Sequence, residues 1–160
     1  MPQNFMAQPN SPAISAAAQR TVLVVDDYPS VRYYHTYVLG KAGFRCEVAR
    51  NGCEALEKLS EVPVDLVMLD IVMPNMNGLE VIRQIRGDPV FARLPVLVIS
   101  TEPLAEEVRR APTADAGPVG FAQKPLVPDV VIAEVRRLLE QDPVSPEAEA
   151  RMAQIGAGRG

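Results

Sequence analysis

The chain has no excess of positive charge, no long apolar run, one histidine and only two cysteines. A formal net charge of −4 provides no electrostatic footprint for nucleic acid or an anionic membrane. No apolar stretch approaches bilayer-spanning length, and Met1 to Gln19 lacks the basic-then-apolar order of a secretory signal. Cys46 and Cys53 form no Cys-x-x-Cys pair, so reduced packing cysteines are expected rather than a disulfide or a metal site. Together these absences point to a cytoplasmic protein. The lone histidine, His35, falls on an apolar helical stripe, where packing is expected over catalysis or phosphoryl carriage. No internal repeat is visible.

What is present is a core. With 48% hydrophobic and 22% charged residues, the 160-residue chain has material for one globular domain and some spare chain. The spare parts are expected at the ends, as a disordered leader over 1–19 and a flexible tail over 142–160. Between them, over 20–141, buried-strand runs alternate with helical patterns five times. The strands are Thr21–Val25, Phe44–Ala49, Leu66–Leu69, Val96–Ile99 and Gly120–Gln123. A first helix opens at Pro29, carries Val31, Tyr34, His35, Val38, Leu39 and Ala42 as its apolar stripe, and stops at Gly43. Asn51-Gly52 turns into a helix with Ala55, Leu56 and Leu59. Gly78 to Arg86 forms another with Leu79, Val81, Ile82 and Ile85. Leu104–Arg110 is expected as a short helix cut by Pro112, and Pro128–Glu140 as the last, with Val131, Val135 and Leu138 inward. This alternation implies α/β architecture, with a parallel sheet covered on both faces.

The polar residues at strand ends then form a set. Asp26 and Asp27 follow the first strand, Asp70 the third, Ser100 the fourth and Lys124 the fifth, all on one carboxyl edge. Asp70 alone has a plain reading as the cap of the next helix; three acids, a hydroxyl and an ammonium on one edge do not. Three acids repel unless a cation neutralises them, and oxygen-only ligands favour Mg²⁺ over zinc. Lys124 supplies a point positive charge suited to phosphate, and Ser100 a hydroxyl donor. A carboxylate oxygen beside these groups can attack phosphorus and become an acyl phosphate.

Over about Thr21 to Glu140 the chain resembles the receiver domain of bacterial two-component response regulators. The motifs are Val24-Val25-Asp26-Asp27, Asp70-Ile71-Val72-Met73-Pro74-Asn75-Met76-Asn77-Gly78, Ser100-Thr101 and Lys124-Pro125. The resemblance implies a flavodoxin-like (βα)5 doubly wound fold, with Asp70 as phosphoacceptor and Mg²⁺ held by Asp27, Asp70 and the Val72 backbone carbonyl, Asp26 assisting. It implies that Lys124 and Ser100 meet the phosphoryl group, and that Phe121 is an aromatic that turns inward with Ser100 on activation. A strand apolar is the plainer reading of Phe121. Val72 and Glu102 stand where the family tunes phosphoryl lifetime, and Pro112 and Pro118 depart from its pattern before the fifth strand.

The implied partners are a sensor histidine kinase or a His-phosphotransfer protein, and a downstream target on the face of Leu104–Arg110, Gly120–Gln123 and the final helix. No effector module is expected after the receiver, so the expected output is protein binding, as in chemotaxis-type or phosphorelay single-domain regulators, with no nucleic-acid or membrane partner. Two other classes remain: a phosphatase turning over through an aspartyl phosphate, disfavoured because Val72 stands where a second acid belongs, and a non-phosphorylated pseudo-receiver scaffold, disfavoured by the full acid set.

Overall fold

The computed structural model describes residues 19–73, 76–101 and 117–141. Five parallel strands form one sheet in the order β2-β1-β3-β4-β5. They are β1 (Thr21–Val25), β2 (Arg45–Ala49), β3 (Leu66–Asp70), β4 (Val96–Ser100) and β5 (Val119–Gln123). The central strands β1, β3 and β4 are buried along their whole length, as their unbroken apolar runs require, while the edge strands β2 and β5 are partly exposed.

Four helices among the described residues cover the sheet: α1 (Pro29–Lys41), α2 (Gly52–Glu61), α3 (Gly78–Gly87) and α4 (Pro128–Gln141). Alternate strand residues feed two separate cores. Val22, Val24, Leu66, Met68, Leu97 and Ile99 pack with Leu39 of α1 and Val131, Val135 and Leu138 of α4. Leu23, Val25, Val67, Leu69, Val96 and Val98 pack with Ala55 and Leu59 of α2 and Val81, Ile82 and Ile85 of α3. This is the flavodoxin-like arrangement, and the strand and helix bounds differ from the sequence expectation by a residue at an end.

Local chemistry explains where helices start and stop. Pro29 sits in the first turn of α1, where a missing N–H costs nothing. Asn51 and Asn77 cap α2 and α3, their side-chain oxygens accepting from the N–H groups of Glu54 at 2.8 Å and Glu80 at 3.0 Å. Both caps use the same Asn-Gly-x-Glu pattern. Gly43, at φ 99°, takes the left-handed conformation that ends α1, and the N–H of Phe44 then reaches the Leu39 carbonyl at 3.1 Å.

Two expectations are corrected. Tyr34 is 38% exposed rather than part of the buried stripe, because it lies about 100° around the helix from His35, at the edge of the buried arc. Cys53 is exposed in the first turn of α2 and packs against no core. Cys46 is half-buried against the α1–α4 core, and burial pushes its thiol up to about 11. Both cysteines are free. The expectations for the leader, Glu102, Leu104–Arg110, Pro112 and the tail concern residues outside those described.

Candidate functional site

Register places the site. Val25 pairs with Leu69, so Asp26 and Asp70 leave β1 and β3 side by side. Asp70 pairs with Ile99 and Ser100 with Gln123, so Lys124 emerges one residue beyond the end of β5. Its N–H donates to the Ser100 carbonyl at 2.8 Å, which holds the end of β5 against β4.

Asp26, Asp27 and Asp70 each offer one carboxylate oxygen, all within 4.8 Å of one another. The Lys124 ammonium lies 3.8 Å from Asp26 Oδ2 and 3.7 Å from Asp70 Oδ2. Asp26 Oδ1 accepts from the Tyr28 N–H at 2.9 Å, and Asp70 Oδ1 from the Val72 N–H at 3.3 Å. Asp27 Oδ1 is buried without a hydrogen-bond partner. The loop after Asp70 returns tightly: the Gly78 N–H donates to the Ile71 carbonyl at 2.9 Å, and a Cβ on Gly78 would lie 2.8 Å from the Asp70 carbonyl oxygen.

Burial is the main reason the Asp70 carboxyl is held above its usual range. Lys124 opposes that shift, Asp26 adds to it, the Val72 N–H opposes it and Asp27 adds to it. One ammonium does not balance three carboxylates. The unpartnered Asp27 oxygen and the oxygen-only donor set fit a hard divalent cation, for which Asp26, Asp27 and Asp70 supply the ligand side chains.

The structure thus brings Asp26, Asp27, Asp70 and Lys124 together. Val72 is on the same loop, its side chain 71% exposed and its N–H turned onto Asp70. Ser100 is buried one position past the level of Asp70. By strand alternation it shares a face with Val98 and Phe121, and half-buried Phe121 packs against the α2–α3 core. His35 is buried as expected, 5.4 Å edge-on to Tyr34, and burial lowers its pKa. Two participants were not foreseen from the sequence: the Tyr28 N–H on Asp26, and Arg32, which donates to the Asp26 carbonyl at 2.7 Å. The first is a turn closed by Asp26 two residues along the chain, a local signal open to sequence reading, whereas the second depends on where α1 begins relative to β1.

A family model described as the response regulator receiver domain matches residues 22–136. The chain belongs to that family. Among curated relatives of this receiver, the DNA-binding response regulator MtrA of Mycolicibacterium smegmatis is 33% identical over 138 residues, covering 86% of this chain and 57% of MtrA. The sensor histidine kinase RcsC of Escherichia coli is 35% identical over 119 residues, covering 74% of this chain and 12% of RcsC. The receiver therefore spans just over half the length of the first relative and a small part of the second. Among solved structures, the chemotaxis protein CheY4 of Vibrio cholerae superposes with a TM-score of 0.67 at 30% identity, covering 76% of this chain and 100% of CheY4. The receiver is thus a domain of two-component signalling. No helix among the described residues is long and apolar enough to cross a membrane.

Proposed function

We propose that this receiver accepts a phosphoryl group on Asp70 from the phosphohistidine of a sensor histidine kinase or His-phosphotransfer protein, in a Mg²⁺-dependent reaction, and thereby switches its binding to a partner protein. The observation that carries the reading is the convergence of the Asp26, Asp27 and Asp70 carboxylates within 4.8 Å, with Lys124 at 3.7 Å from the Asp70 oxygen. An Asp70 oxygen forms the new bond to phosphorus as the phosphorus–nitrogen bond of the donor breaks, and the electron pair leaves with the imidazole. Lys124 then has a phosphoryl oxygen to pair with instead of two carboxylates, and the Ser100 hydroxyl can donate to another. Mg²⁺, when held by Asp26, Asp27, Asp70 and the Val72 carbonyl, supplies charge neutralisation for the incoming phosphoryl oxygens.

Recruitment of Lys124 and Ser100 gives the switch its motive force, since the phosphoryl group adds about two negative charges at the edge where β4 and β5 end. Movement of Ser100 is transmitted along its own face to Phe121, paired opposite Val98. The target face is β5 with α4, together with the expected helix at Leu104–Arg110. Signalling output on this reading is by protein contact, in chemotaxis or another pathway; passage of the phosphoryl group onward in a phosphorelay uses the same chemistry in reverse.

The test is labelling with acetyl phosphate and Mg²⁺, followed by borohydride reduction and peptide mass spectrometry. Label is expected on Asp70 and nowhere else, and is lost on chelation with EDTA. Absence of label on an otherwise folded, Mg²⁺-saturated protein would favour the pseudo-receiver scaffold.

A further inference from the structure

We propose that a groove beside α1 is a subsite for the apolar body of an acyl phosphate, so that donors with a branched or aromatic acyl group react faster at Asp70 than acetyl phosphate; this rests on the phosphoacceptor reading above. The groove has a volume of 410 Å³ and lies between α1 and the chain after β5. Val31 and Tyr34 of α1 line one side, and Pro125 and Leu126 the other. Tyr34 is exposed and Leu126 is half-buried against the α1–α4 core, so apolar surface stands open there.

Two features tie the groove to the phosphoacceptor. Lys124 belongs to both, since its side chain lines the groove and its ammonium lies 3.7 Å from Asp70 Oδ2. Asp26, Asp27 and Asp70 do not line it, so the groove leads past Lys124 and away from the carboxylates. An in-line displacement sends its leaving group away from the attacking oxygen.

Charge and size select the occupant. Burial holds His35 below its ordinary 6.5, so at neutral pH its imidazole is uncharged. Lys124 is then the one formal charge among the described residues lining the groove, and Thr101 adds a hydroxyl donor. A ligand that matches has an anionic end for Lys124, a carbonyl for the hydroxyl and an uncharged apolar body. An acyl phosphate carries its groups in that order. Acetyl phosphate brings a single methyl and leaves most of the 410 Å³ unfilled. In the transfer, an Asp70 oxygen bonds to phosphorus as the bond from phosphorus to the acyl oxygen breaks. The electron pair stays on that oxygen, and a carboxylate departs with no proton moved. Burial of the non-reacting body raises kcat/KM, by about fourfold for each methylene fully removed from water.

The experiment measures the second-order rate constant for labelling Asp70 at saturating Mg²⁺, with acetyl phosphate and with isovaleryl phosphate, whose leaving carboxylates are of similar basicity. Wild type is compared with Val31→Trp, which fills the groove, and Leu126→Ala, which removes a wall. In wild type the branched donor should be faster by about tenfold or more. That ratio should fall to within about twofold of one in Val31→Trp and by about threefold in Leu126→Ala. A wild-type ratio within about twofold of one overturns the subsite and leaves the phosphoacceptor reading standing, because acetyl phosphate still labels Asp70. A high ratio kept in both variants overturns it too, as does a branched donor that blocks labelling by acetyl phosphate without transferring its own phosphoryl group. Wild type labelled by neither donor removes the phosphoacceptor reading itself.

Discussion

The two edges of the sheet treat buried charge in opposite ways. At the amino edge buried charges are matched by groups of opposite polarity, although Arg20 Nη1 itself has no hydrogen bond. The Arg86 guanidinium, from the last turn of α3, donates to the carbonyls of Ala92 and Leu94 ahead of β4 and of Gly117 and Pro118 ahead of β5, at 2.9, 2.8, 3.1 and 3.4 Å. Asp65, just before β3, accepts from the N–H of Thr21 at 2.7 Å, and its other oxygen lies 4.0 Å from Arg20. At the carboxyl edge three carboxylates converge, one ammonium pairs with two of them, and one buried carboxylate oxygen has no hydrogen bond. Buried polar groups are costly unless paired, so the first edge stabilises the fold and the second stores a demand for positive charge. Reactivity sits where like charges are crowded.

The sharpest way to test the contrast is Asp70→Asn. It should abolish acetyl phosphate labelling entirely while leaving stability equal or higher by about 1 kcal/mol, since it removes one of three crowded charges. Urea unfolding alongside mass spectrometry checks both halves; a clearly destabilised variant would contradict the picture of a repulsive edge. At the opposite edge, Arg86→Ala should cost about 3 kcal/mol, because it removes charged hydrogen bonds and strands carbonyls between packed elements. The folded fraction should still take label from acetyl phosphate, and an unchanged denaturation midpoint would show that the guanidinium is replaceable by water.

A smaller effect concerns Mg²⁺. Added at about ten times its dissociation constant, it should raise wild-type stability by about 1.4 kcal/mol and leave Asp27→Ala nearly unmoved. Equal gains in thermal melts would place the cation elsewhere. The smallest effect is the pH response of His35. Burial lowers its pKa from 6.5, with Asp26 opposing that shift and Lys124 adding to it. Above pH 6.5 the ring is neutral in both folded and unfolded states and exerts no penalty; below it the unfolded chain takes up a proton that the folded one resists, so stability falls as pH falls. His35→Leu should flatten that acid limb, and an unaltered slope between pH 7 and pH 5 would assign it to other groups.

Much of the fold was legible because its signals are local. Buried runs such as Leu66–Leu69 and Val96–Ile99 need only their own side chains to announce a two-sided strand, and Pro29 and Gly43 mark helix ends by backbone chemistry alone. The failures came where local spacing was asked to decide exposure. Tyr34 fits an apolar stripe by its interval from Val31 and Val38 yet stands outside the buried arc, and Cys53 looks like a packing residue until α2 is seen to turn it outward.

By itself the sequence determined which chemistry could assemble: acids after the first and third strands, a hydroxyl after the fourth, an ammonium after the fifth, and an alternation that sends all of them to one edge. The tertiary structure alone decided their balance. A one-residue change of register would turn a side chain to the other face of the sheet, so the pairing of Val25 with Leu69 and of Asp70 with Ile99 is what sets Asp26 beside Asp70. Lys124 falling between those two carboxylates, Asp27 Oδ1 being left unpartnered and the tyrosines of α1 facing solvent follow from how helices pack across strands distant in sequence. Strand propensity is carried by neighbours along the chain, whereas the satisfaction of a buried charge is set by groups brought in from far along it.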